Sequence, residues 1–224
     1  MEYVEGEDVM PMGVNNNKKM IDRFFKDNPC KKEAVPSPAA MANFQIKLLL
    51  NRKVNEEFQD KINDLVLKEE PEREGPVKQE KNEIETAGRE QIIRIMRRSP
   101  DPMNQHILVY RAMEFEDGLI PEVVRMMKTS LNTGFIETAT RVLSVCRQDI
   151  ADELVAYFND VRSPYAQSMI LVVLGFKADE KHVPWIIEKY KELKRNYPDE
   201  SYCDGAVYAL SEIENRFYPI KERG

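Results

Sequence analysis

The sequence predicts an all-α fold: a short right-handed α-solenoid of helix pairs, preceded by an N-terminal helix and a flexible tail. Three observations point there. Adjacent apolar pairs, Ile92-Ile93, Val123-Val124, Leu154-Val155 and Ile186-Ile187, recur at spacings of 31, 31 and 32 residues. Four residues after the first member of each pair stands a large side chain, Met96, Met127, Phe158 or Tyr190. Positions i, i+1 and i+4 share one helical face, so each set marks the buried face of a helix in the same role. Finally, 9 glycines and 13 prolines are too few for the many turns of a β-sandwich.

Along the chain, residues 1–36 read as a flexible N-terminal region. Met20–Phe25 is a short amphipathic piece within it, and NNNKK and DNPCKKEAVPSP read as loop. Residues 37–67 read as an amphipathic helix or helix pair. Ser37 can cap it, Pro38 suits the first helical position, and Leu50, Val54, Phe58, Ile62 and Leu65 follow at helical spacing. The break, if there is one, falls near Asn51. Residues 68–83, KEEPEREGPVKQEKNE, are charged and nearly devoid of apolar groups, which predicts a charged linker.

Residues 84–224 form the repeat domain. Its B helices carry the apolar pairs, and Ile120-Pro121 and Val183-Pro184 are expected to put a proline in the first turn of two of them, where its missing N–H costs nothing. Between them lie the A helices, Met103–Phe115, Phe135–Cys146, Tyr165–Phe176 and Tyr202–Phe217, with short breaks at EDG, RQD and KADE. The run ILVVLGF in the third A helix is explained by its place in the middle of the stack. Terminal helices need a wet face, which Ser211-Glu212 and Glu214-Asn215-Arg216 supply.

This pattern resembles the HEAT repeats, most closely the short bacterial kind known from phycocyanobilin lyases. The best match is RSPYAQSMILVVLGFKADEKHVPWIIEKYKEL, with Arg162, Ala166, Leu174-Gly175, Val183-Pro184 and Ile186-Ile187 at the family's positions. Met113 departs from it, standing where the family prefers a small residue. The resemblance implies that the B helices line a concave side.

The net charge of −6, spread over both halves of the chain, argues against a general binder of nucleic-acid phosphates. Cys30, Cys146 and Cys203 are odd in number and far apart, so neither a disulfide framework nor a zinc site is expected. Cys146 and Cys203 read as small core residues, and Cys30 as the thiol most open to modification. No window approaches the roughly 18 apolar residues of a membrane helix, and a cytoplasmic protein is expected. His106 and His182 stand at the starts of different helices and read as capping or surface residues. The acidic clusters EFED (114–117) and Ala178-Asp179-Glu180 sit at helix ends, where carboxylates favour the helix dipole without any catalytic task. No phosphate-binding glycine loop or nucleophile elbow occurs, so no catalytic residue, metal or cofactor is predicted.

A partner surface is the leading expectation. Arg94 aligns with Arg125, and Arg97 with Lys128, one repeat on; Tyr157 and Trp185 lie further along the same face. These six residues are the candidate partner-binding set of a protein–protein interaction scaffold, suited to an acidic protein or peptide. Fold analogy supplies two alternatives, a HEAT-like DNA glycosylase and a lyase-like chromophore chaperone. Self-association through residues 39–67 is a further expectation.

Overall fold

A computed structural model describes residues 12–29 and 36–219. Twelve α-helices, joined by short 3-10 turns, account for the described chain. From the N-terminus, α1 is Met12–Asp27, α2 Pro38–Leu50, α3 Arg52–Glu69 and α4 Glu74–Thr86. The repeated pairs follow as α5 Arg89–Arg98, α6 Gln105–Met113, α7 Glu116–Met127 and α8 Thr133–Val145. The chain continues as α9 Ala151–Tyr157, α10 Pro164–Lys177, α11 Val183–Asn196 and α12 Asp204–Phe217.

The helices α6, α8, α10 and α12 pack side by side in sequence order, and α5, α7, α9 and α11 pack onto that row. The marker residues of the 31-residue period face the core: Ile92, Val123, Leu154, Ile186, Met96 and Met127 are fully buried, with Phe158 and Tyr190 nearly so. Polar bonds link positions about one repeat apart. Lys128 Nζ meets Asp160 at 2.7 Å, Lys189 Nζ meets Asn159 at 2.8 Å, and the Tyr157 hydroxyl donates to the Val124 carbonyl at 3.4 Å. Such bonds hold neighbours in register where apolar packing alone would let them slide.

The central helix α10 shows why its sequence is apolar all round. From Ser168 to Gly175 every residue is buried, between α8, α12 and α9, with α2 on the remaining side. Small residues set the spacing to α12. A Cβ on Gly175 would stand 2.9 Å from the Ala209 Cα, and one on Gly205 only 2.0 Å from the Ser168 carbonyl oxygen.

Four expectations change, the first three of them in secondary structure. Residues 12–27, expected to be largely irregular, form α1. Its Ile21 and Phe24 are buried against α11 and α12, and Phe24 meets the Tyr190 ring edge-on at 4.7 Å. The stretch 68–83 is helical for most of its length instead of being a linker. It packs with little apolar burial, through polar bonds: Asn104 donates to the Val77 carbonyl at 3.0 Å and to Glu80 at 2.9 Å, and Arg73 pairs with Asp101 at 2.7 Å. Composition reports apolar burial and is blind to such knitting. Pro121 lies inside α7, because that helix already begins at Glu116, the first residue of the EDG break. Pro184 does fall in the first turn of α11.

The wet face expected on α12 is also in use. Glu212 is buried, paired with Lys47 of α2 at 2.5 Å and accepting from Asn43 at 3.2 Å, while Glu214 takes Lys18 of α1 at 2.6 Å. In the same seam Arg141 of α8 donates twice to Gln45, at 2.8 and 2.6 Å. The N-terminal helices thus cover the row that the repeats leave open.

Candidate functional site

Two surfaces stand out, one on α5, α7, α9 and α11 and the other on α2 and α3. On the first, Arg94 and Arg97 are exposed on α5 and form no ion pair among the described residues. Arg125, on α7, has a side chain 75% exposed and only a loose contact with Glu122 at 3.9 Å. These three guanidinium groups are solvated donors held on adjacent helices by the buried residues between them.

The other predicted residues are differently placed. Lys128 is half-buried, neutralised by Asp160 and 5.9 Å from the Tyr157 ring centre. Tyr157 is half-buried with its hydroxyl committed to the backbone of α7; burial pushes its pKa far up, so it stays a neutral donor. Trp185 packs edge-on against Phe158 at 5.0 Å, beside the buried Lys189 ammonium, which stands 5.8 Å from its ring. It is a wall of the surface more than a protruding anchor. The structure therefore brings Arg94, Arg97 and Arg125 forward and folds Lys128, Tyr157 and Trp185 into contacts between repeats.

The acidic and imidazole groups do structural work. Glu116 is buried at the start of α7 and accepts from the backbone N–H groups of Arg147 and Gln148 and from Arg147 Nε at 3.1 Å. Burial by itself pushes its carboxyl pKa up, but the bonds from Arg147 and Gln148 outweigh that and hold it below the usual range. His182 closes a capping box with Asp179 and reaches Asp152 at 2.8 Å. His106 lines a cleft of about 420 Å³ between α3, α4 and α6, where burial holds its imidazole below the ordinary value. Charges of both signs alternate around that cleft, from Arg52 and Lys81 to Glu56 and Asp60, so it favours no one ligand charge. Cys146 is buried, and burial pushes its thiol up, as suits a core residue; Cys203 is half-buried, and Cys30 lies outside the described residues. Among the described residues no group of three or more His, Cys, Asp or Glu side chains could hold a metal ion, and no helix is long and apolar enough to cross a membrane.

The second surface was legible only in part. Leu50, Val54, Phe58, Ile62 and Leu65 were visible as an amphipathic stripe, but they are 38–59% exposed. Met41 and Phe44 of α2, 43% and 51% exposed, widen the stripe, and Phe44 meets Phe58 edge-on at 6.4 Å. Helix α3 is fixed to the body through its polar side: buried Asn55 donates to the Tyr110 hydroxyl at 3.0 Å, and the Arg52 guanidinium lies 4.7 Å from the Tyr110 ring centre. The apolar side of α3 meets α2 and leaves these side chains substantially exposed. No protein-family model, curated protein or solved structure matches the chain.

Proposed function

We propose that this protein is a helical-repeat adaptor of the HEAT-like kind, an α-solenoid that holds an acidic or phosphorylated segment of a partner protein across α5 and α7. The observation that carries the reading is the row of exposed guanidinium groups on adjacent helices, Arg94 and Arg97 without an ion pair among the described residues and Arg125 held only loosely by Glu122. Arginine pairs with carboxylate and phosphate through two parallel hydrogen bonds, so a row of them suits an extended anionic chain better than a single point charge. An overall charge of −6 repels polyanions elsewhere on the surface and confines recognition to this row. Trp185 and Tyr157 supply the rigid apolar floor further along.

The test is binding of fluorescent acidic peptides, with and without phosphoserine, to the full chain. Arg94→Glu combined with Arg125→Glu should weaken binding by about tenfold or more, roughly 1.4 kcal/mol. Lys19→Glu combined with Arg23→Glu, the same charge change on α1, should leave it unchanged. Equal binding by both variants would remove the assignment.

A further inference from the structure

We infer that the apolar face of α3 is a self-association surface, on which a second copy of the chain docks its own α3 in antiparallel register. Seven side chains of α2 and α3, Met41, Phe44, Leu50, Val54, Phe58, Ile62 and Leu65, are 38–59% exposed; Val54, Phe58, Ile62 and Leu65 share one face of α3, and Phe44 adjoins it through Phe58. That makes an apolar patch on the order of several hundred Å², at the upper end of what monomers show. The polar side of α3 is already bonded to Tyr110, so the helix cannot turn this face inward without breaking its own anchorage.

The occupant follows from the order of residues along the stripe. At about 100° per residue, Val54, Phe58, Ile62 and Leu65 fall within an arc of about 80°. An antiparallel copy centred between Gln59 and Asp60 sets Val54 level with Leu65 of the second copy and Phe58 within one residue, about 1.5 Å, of the level of its Ile62, and the two-fold axis repeats both layers. Each layer joins a larger side chain to a smaller one, so the pair closes without stacking like on like. The same register brings Glu57 within one residue of the level of Lys61 of the other copy, twice, on one edge of the stripe. A parallel pair would instead place each residue level with its own equivalent. The stripe and its charged edge are self-complementary in one orientation, which an unrelated partner helix would match only by coincidence. An 18-residue helix gives an interface below the standard ~1,600 Å², so the dimer should dissociate in the micromolar range.

Sedimentation velocity of the full chain over a concentration series tests this. The mass should rise from 26.1 kDa toward twice that value. Leu65→Lys sets an ammonium against Val54 and should weaken association at least tenfold with unchanged circular dichroism. Glu57→Lys should weaken it severalfold, and Glu57→Lys with Lys61→Glu should restore it, because the swapped pair is again complementary. A monomer at every concentration overturns the inference, as does a Leu65→Lys variant that associates like wild type. A charge swap that fails to restore association overturns the antiparallel register. Arg94→Glu with Arg125→Glu should associate like wild type, so the fate of the arginine row and that of this interface are read separately.

Discussion

Helices α10 and α3 both carry apolar side chains at several turns, and they meet opposite fates. Between Ser168 and Gly175, α10 is buried on every side; in α3, Asn55 is the sole buried residue. What separates them is the arrangement of the apolar groups. In α10 they surround the axis, so any direction that lacks a neighbour leaves apolar surface in water, and the fold supplies α8, α12, α9 and α2. In α3 they form one stripe, which specifies a single additional surface but not whose surface it is. An all-round apolar helix is therefore a statement about its own chain. A striped helix is also a statement about what else can approach.

The sharpest way to break the comparison is to truncate both helices. Leu174→Ala, deep in α10, should cost about 2–5 kcal/mol in urea unfolding, as expected for a fully buried leucine whose site cannot collapse. A cost within about 0.5 kcal/mol would show that α10 tolerates a cavity and is not central. The next effect tests how closely α10 and α12 approach. Gly205→Ala pushes a methyl against the Ser168 carbonyl and should cost about 1–3 kcal/mol, whereas Gly88→Ala, with nothing within 4 Å of the new Cβ, should cost much less. Equal costs would mean that the two helices part readily.

These contrasts also explain what was legible in the sequence. The repeat was legible because Ile92, Val123, Leu154 and Ile186 each bury an apolar face, and burial leaves a periodic trace. The helical state of 74–83 was not, because Glu80 and Asn104 hold it through hydrogen bonds whose partners are far apart in sequence. The cover that α2 places on α12 was hidden for the same reason: Lys47 and Glu212 are ordinary surface charges until the fold brings them together. Of the candidate site, the exposed arginines were legible as charges between apolar positions. The commitment of Tyr157 to the Val124 carbonyl and of Trp185 to Phe158 was not, since half-burial of an aromatic ring depends on the neighbouring repeat.

A smaller effect comes from acid. Glu116 is held ionised below the usual carboxyl range by Arg147 and Gln148. A depressed native pKa means that the unfolded state binds the proton first. The stabilisation is therefore complete above the unfolded-state pKa of about 4.3 and is lost as pH falls through the lower native value. Glu116→Gln should cost about 1 kcal/mol at neutral pH, since it keeps an acceptor but loses the charge. Urea midpoints of the two proteins should converge as pH drops below about 4. A difference that persists undiminished in acid would mean that the carboxylate charge is not what holds the turn 146–150 against α7.

The smallest effect belongs to α3 and completes the contrast with Leu174. Leu65→Ala removes a large apolar side chain that is 59% exposed, from a stripe that its own chain leaves substantially in solvent. Measured at concentrations low enough to keep the chain monomeric, unfolding should change by no more than about 0.5 kcal/mol, the range of surface substitutions. Alanine's better helix propensity offsets part of even that small loss. At high concentration the same substitution should lower the urea midpoint more, because an associating folded state is stabilised by mass action and the truncated stripe associates less. A leucine that costs little alone and more in company is the signature of a surface built for a second molecule. A cost of about 2 kcal/mol or more in the dilute monomer would instead place Leu65 in a core of its own chain, and the likeness to Leu174 would then outweigh the difference.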